Sequence, residues 1–160
     1  MIKSKLYSQL ICTIIYIITF YLAFYFLPDI KANIWILITI WHIYATLIIY
    51  VFSFILKNSS LYDPFWSVAP IPIVLYMALN FNNLIEIQLL VLIPILFWGI
   101  RLTHNWLMGW DGFEHEDFRY IDLKNTNKIQ AEINNLFGIH LIPTLIVNFS
   151  LFPISFILLN

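Results

Sequence analysis

Uncharged apolar runs closed by short polar breaks occupy most of this chain. Residues 6–27 and 34–56 carry no charge and stop at Pro28-Asp29 and Lys57-Asn58. A helix needs about 20 mostly apolar residues to cross a bilayer core, because every backbone N–H and C=O must be paired within the segment. Both runs meet that length. Residues 64–79, with Pro70 and Pro72, and 87–100, with Pro94, are shorter and predict kinked helices whose freed carbonyls are re-satisfied by neighbours in a bundle. Residues 139–159 close the series, with Pro143 near the start and Pro153 near the end. The pattern predicts an all-α, polytopic transmembrane helical bundle of about five spans, forming a single membrane domain over 1–160 with one polar segment at 101–138.

Composition sharpens this. Only 11% of the residues are charged, against roughly 25% in a soluble domain, so a water-soluble globule is excluded. A net charge of -1 supplies no basic field for nucleic acid. Cys12 is the only cysteine, which rules out an internal disulfide and a cysteine-based zinc site. With five spans, Lys3, Lys5, Lys57 and the basic residues of 101–138 fall on one side and Lys31 alone on the other. The positive-inside rule then predicts that the amino terminus and the 101–138 segment are cytoplasmic. The first apolar run is too long for a signal-peptide core and is expected to stay as an anchor.

Charge is concentrated in one place. Ten of the 17 charged residues lie between Arg101 and Glu132, so chemistry is expected there. On a helix continuing past the fourth span, Arg101 and Asn105 share a face, where a guanidinium fork and an amide would suit a phosphate-bearing ligand. Arg101 alone would as readily snorkel to headgroups. Gly109 and Gly112 predict a turn, and a helix beginning near Glu114 would bring Glu116 and Tyr120 to one face. His104, Asp111, His115, Glu116 and Asp117 are metal-ligand types, but no His-x-x-x-His or Glu-x-x-His spacing pairs them, and no metal site is expected. His42 lies in the second span and predicts an interhelical hydrogen bond. Asp63, ahead of Pro64, reads as an interfacial turn residue.

Asp63-Pro64-Phe65-Trp66, Arg101-Leu102-Thr103-His104-Asn105-Trp106, Gly109-Trp110-Asp111-Gly112, His115-Glu116-Asp117-Phe118-Arg119-Tyr120 and Gly138-Ile139-His140-Leu141-Ile142-Pro143-Thr144 together resemble the DUF1295 family. These are integral-membrane proteins related to the steroid 5α-reductase carboxy-terminal domain, and the resemblance runs from about Tyr62 to Pro153. It implies an NADPH-dependent reductase of a carbon–carbon double bond conjugated to a carbonyl in a lipid-like substrate. It further implies that Asn105, Asp117, Arg119 and Tyr120 line the cofactor site, with Arg101, Glu116 and Asp63 as further candidates. No Gly-x-Gly-x-x-Gly offers a Rossmann cradle instead.

Members of the family continue beyond the span matching 139–159 into a Ser-Arg-His-Pro-Asn-Tyr-x-Gly-Glu type block that helps hold the nucleotide. The expectation is therefore a truncated enzyme, or half of a site completed by a second chain. Two other classes stay open. One is a non-catalytic membrane protein whose 101–138 segment binds a partner or lipid headgroups. The other resembles the isoprenylcysteine methyltransferases and would use S-adenosylmethionine.

Overall fold

A computed structural model describes residues 4–27, 33–80 and 84–159. Pro28, Asp29, Lys3 and Lys31, used above for boundaries and orientation, lie outside the described residues. Within them the secondary structure is helical: α1 (Lys5–Tyr25), α2 (Ile34–Leu56), a 3-10 turn (Ser59–Tyr62), α3 (Phe65–Val68), α4 (Pro70–Asn80), α5 (Ile85–Gly109), α6 (Phe118–Lys124), α7 (Lys128–Ile133), a π-helical stretch (Asn134–Leu141), α8 (Ile142–Ser150) and α9 (Phe152–Leu159). Four helical runs are long and apolar enough to cross a membrane: Lys5–Tyr25, Ile34–Leu56, Ile85–Gly109 and Lys128–Leu158.

The expected span at 64–79 takes another form. Pro70 opens α4 instead of kinking a longer helix, in keeping with proline's fixed φ and missing N–H at a first helical position. The four-residue α3 and the 11-residue α4 together return the chain from one end of the bundle to the other. Two further boundaries move. α5 runs unbroken through Pro94 to Gly109, beyond the expected 100, and the last helical run begins at Lys128, before the expected 139.

Five passes thus connect two ends. At one, which we call the polar end, the start of α1 meets the end of α5: Lys5 Nζ donates to Met108 O at 2.8 Å and Gln9 Nε2 to Leu107 O at 2.7 Å. These side chains satisfy carbonyls that the helix terminus leaves unpaired. Lys57 sits past the end of α2 with a left-handed φ of 53°, and the Asn58 N–H reaches back to Ser53 O, turning the chain sharply into the polar end. Lys5, Lys57 and the 110–135 region therefore share this end, as five alternating passes require. At the other end Trp35 packs edge-on against Phe152.

Polar residues lock the bundle from within. Tyr62 O–H reaches Thr144 Oγ1 at 2.8 Å, Thr144 reaches Thr46 Oγ1 at 2.8 Å, and Thr46 donates to His42 O at 2.8 Å. Because Thr46 spends its proton on the carbonyl, it must accept from Thr144, which in turn accepts from Tyr62. This directional relay ties the 3-10 turn, α8 and α2 together among apolar neighbours. His140 does similar work in the π-helical stretch, with Nδ1 on Asn135 O at 2.8 Å and Nε2 on Ser53 Oγ at 3.2 Å. Gly99 allows α5 to touch α3, since a Cβ there would stand 2.7 Å from the Ser67 carbonyl oxygen.

Gly99→Ala should force that contact apart and destabilise the bundle by about 1–3 kcal/mol. Thr144→Val, which cuts the relay at its centre and strands Tyr62 O–H, should cost about 1–2 kcal/mol. Thermal unfolding in detergent checks both, and an unchanged midpoint in either variant contradicts the corresponding contact.

Candidate functional site

The polar end is assembled on three consecutive residues, Asn58-Ser59-Ser60. Asn58 Nδ2 donates to the carbonyls of Phe113 at 3.0 Å and His115 at 3.1 Å, while its Oδ1 accepts from Ser60 N at 2.9 Å. Ser59 N donates to Glu116 Oε1 at 2.5 Å, and Ser59 Oγ to Asn135 Oδ1 at 2.8 Å. Ser60 Oγ accepts from Asp117 N at 2.8 Å. All three residues are buried. Gly112 brings the loop onto α1, with a φ of +99° and no room for a Cβ beside Ser8 Oγ, which accepts from Phe113 N at 3.2 Å.

Between this turn and the end of α5 lies a cavity of about 320 Å³, lined by Ser60, Asp63, Trp106, Gly109, Trp110, Asp111, His115, Glu116 and Asp117. Trp106 and Trp110 stack with ring centroids 4.4 Å apart, one helical turn from each other. Both indole Nε1 atoms are buried with no hydrogen-bond partner among the described residues. An indole nitrogen can only donate, so two donors stand without acceptors beside the cavity.

The wall is acidic, and its carboxylates differ in environment. Asp63 accepts a very short hydrogen bond from Tyr120 O–H. Burial pushes the Asp63 carboxyl up to about 6, against the opposing pull of that hydrogen bond, and pushes the Tyr120 phenol upward as well. Asp117 caps α6, accepting from Arg119 N at 2.9 Å, and is gripped two-fold by Arg119 Nε at 2.8 Å and Nη2 at 2.7 Å. The guanidinium hydrogen bonds hold the Asp117 carboxyl below its usual range and raise Arg119. Glu116 pairs with Lys124 Nζ at 2.5 Å.

The structure therefore brings Asp63, Glu116 and Asp117 to one cavity, with Tyr120 bonded to the first and Arg119 to the last. Arg101 and Asn105 stand elsewhere. Both are exposed on α5, at four-residue intervals leading to Gly109 on the cavity rim, and neither makes a side-chain hydrogen bond among the described residues. The helix expected from Glu114 begins only at Phe118, so Glu116 acts from the loop and does not share a helical face with Tyr120. Among the described residues no group of three His, Cys, Asp or Glu side chains is placed to hold a metal ion.

Sequence reasoning missed the Asn58-Ser59-Ser60 turn, taking Asn58 only as the stop after a span. The available signal was three small polar residues between two apolar runs, just upstream of Asp63. It also passed over the indole N–H groups of Trp106 and Trp110, because a tryptophan near a helix end reads first as an interfacial anchor.

No curated protein and no solved structure matches this chain. Residues 49–160 match the family described as "Protein of unknown function (DUF1295)", a stretch that contains the Asn58–Ser60 turn, the whole cavity wall and the last helical run. On that match, the chain belongs to the DUF1295 family.

Proposed function

We propose that this chain serves as a membrane-embedded, NADPH-dependent reductase of a carbon–carbon double bond conjugated to a carbonyl in a lipid-like substrate, acting from a polar end that faces the cytoplasm. The observation that carries this reading is the Asp63 carboxyl, on the cavity wall, bonded by Tyr120 and pushed up to about 6. A carboxylic acid titrating near neutrality is suited to give a proton to a developing enolate and to recover it afterwards. Tyr120 positions that acid and, by donating to it, sets where it titrates.

The residues present suit one end of the cofactor best. Carboxylates of Asp111, Glu116 and Asp117 can accept from ribose hydroxyls and a carboxamide N–H, and the partnerless indoles of Trp106 and Trp110 can donate to oxygens. A cavity of about 320 Å³ stands at the small end of ligand pockets, which run from about 300 to 1,000 Å³, and matches a nicotinamide with its ribose. Phosphates belong outside it, where Arg101, Asn105 and the largely exposed Arg119 supply donors. NADPH, when bound, supplies the hydride for the β-carbon of the substrate.

The acid-rich wall with its stacked Trp106–Trp110 pair also favours a second reading, because carboxylates and aromatic faces suit the sulfonium of S-adenosylmethionine. Titrating the chain in nanodiscs with NADPH, by nicotinamide fluorescence, and with S-adenosylmethionine, by thermal stabilisation, separates the two. Saturable NADPH binding is expected, weakened by about 1–3 kcal/mol in Arg119→Ala and in Asn105→Ala. Binding of S-adenosylmethionine alone selects the methyltransferase. Binding of neither by folded protein overturns both and leaves a non-catalytic membrane protein.

The titration of Asp63 gives a second check. Reduction should slow as pH rises through about 6, where Asp63 loses its proton. In Tyr120→Phe the carboxylate loses a stabilising donor, so this limb should move to higher pH; a limb that stays in place removes Asp63 from the reaction. Stability reports the same group without turnover. Its folded value lies above its ordinary 3.8, so the cost of ionising it in the fold is absent below that value, grows as pH rises and is complete above about 6. Asp63→Asn should therefore gain thermal stability over the parent protein across that interval, and a constant difference in midpoint contradicts the assignment.

A further inference from the structure

Where α4 faces the α1–α2 pair, the bundle leaves a gap. α4 packs on α5 and α9. Between it and the first two helices lies a cavity of about 270 Å³, with Phe20 and Phe24 of α1, Ile38 and Trp41 of α2, and Ile73 and Tyr76 of α4 in its wall. No charged side chain lines it.

The inner side is closed. Ile38 and Ile73 also belong to a buried cluster with Val74 and Met77. Phe20 stacks on Trp41 with ring centroids 5.4 Å apart and leans on the fully buried Phe65 at 6.1 Å.

The outer side is open. Phe24 and Tyr76 are exposed, and Phe24 continues a stripe of exposed apolar residues, Leu10, Ile14, Ile17 and Tyr21, that recurs every three or four positions along α1. α1 is long and apolar enough to cross the membrane, so this stripe is its lipid-facing side and the cavity mouth opens to acyl chains. Because α1 begins at the polar end, Phe24 in its last turn places that mouth in the opposite leaflet.

We propose that this cavity seats the methyl-end portion of one acyl chain of a bilayer phospholipid, entering sideways from the leaflet opposite the polar end. Such a chain comes from hydrocarbon, so the hydrophobic effect does not drive it in. The void does: lining atoms without neighbours forfeit dispersion contacts that a chain restores. Shape and polarity select the occupant. An apolar cavity of about 150 Å³ stays dry and accepts benzene, so 270 Å³ has room for several carbons of a flexible chain. A partner's helix, about 10 Å across, is too wide to enter. A charged headgroup would find no counter-charge in the wall and stays outside. The seat shares no residue with the polar-end cavity, so it stands or falls independently of the reductase reading.

Photolabelling tests the proposal. The chain is reconstituted with phosphatidylcholine carrying a diazirine at the methyl end of one acyl chain, extracted into detergent, washed free of exchangeable lipid, irradiated and digested. The reference is the stretch 89–100 of α5, where Leu90, Ile93 and Phe97 are exposed and no cavity lies. Label per residue on segments 20–27 and 70–79 should exceed that reference about tenfold, the worth of about ten restored dispersion contacts. Leu37→Trp and Ile73→Phe, which fill the cavity from α2 and from α4, should remove most of the excess and leave the α5 label unchanged. Equal labelling of all three stretches in the folded parent protein identifies a general lipid coat and overturns the proposal. Absence of label from 20–27 and 70–79 overturns it too, as does an excess that persists in both filled variants. Should Leu37→Trp fail to fold, the parent protein's ratio and Ile73→Phe decide the matter.

Discussion

The polar end depends on one short buried turn. Asn58, Ser59 and Ser60 together engage the carbonyls of Phe113 and His115, the carboxylate of Glu116, the backbone of Asp117 and the side chain of Asn135. A loop between helices would ordinarily lie on the surface, because its backbone groups need water. Here the 113–117 loop can stay against the bundle because the turn supplies the partners that water would have given. Lys124 joins the same cluster, reaching Ser59 Oγ at 3.3 Å and Glu116 at 2.5 Å. Loosening the turn would release the loop, the α6 amino terminus and the π-helical stretch at once, and with them the cavity wall.

The apolar part of the bundle obeys a related constraint. Lipid chains are as apolar as leucine, so burying leucine between helices yields little net gain, and specificity must come from small-residue contacts and hydrogen bonds. Gly99 against Ser67 provides the first, and the Tyr62–Thr144–Thr46 relay the second. Tyr62 links the two regions. Its hydroxyl begins the relay into the bundle, while the next residue, Asp63, faces the cavity. A change in the packing of α8 would therefore be felt at the carboxyl.

What the sequence made legible follows from the range of each interaction. The long spans are written in local hydropathy, and α1 and α2 stand within a residue or two of the expected 6–27 and 34–56. Proline was harder, since Pro94 lies inside an unbroken α5 and Pro70 begins a helix; which outcome prevails depends on packing that no local pattern records. The expected helix from Glu114 failed because Glu116 and the Asp117 N–H are claimed by the distant turn, leaving Asp117 to cap α6. The turn itself was invisible for the same reason: its partners lie 55 to 76 residues further along the chain.

The charge on the cavity wall has one sign. The cavity wall carries Asp63, Asp111, Glu116 and Asp117, while the cations stand behind or outside it: Lys124 is committed to Glu116, Arg119 to Asp117, and Arg101 projects from the exposed face of α5. For the nucleotide proposed above, an acidic wall favours the orientation with its hydroxyl end inward. The reverse orientation would set anionic oxygens against carboxylates in a partly desolvated space, where like charges repel more strongly than in water. The Asp117–Arg119 pair links the wall to the exterior, because Asp117 lines the cavity while the guanidinium that grips its carboxylate two-fold is largely exposed. Exchanging arginine for lysine there would preserve the charge but lose the fork that fixes its place.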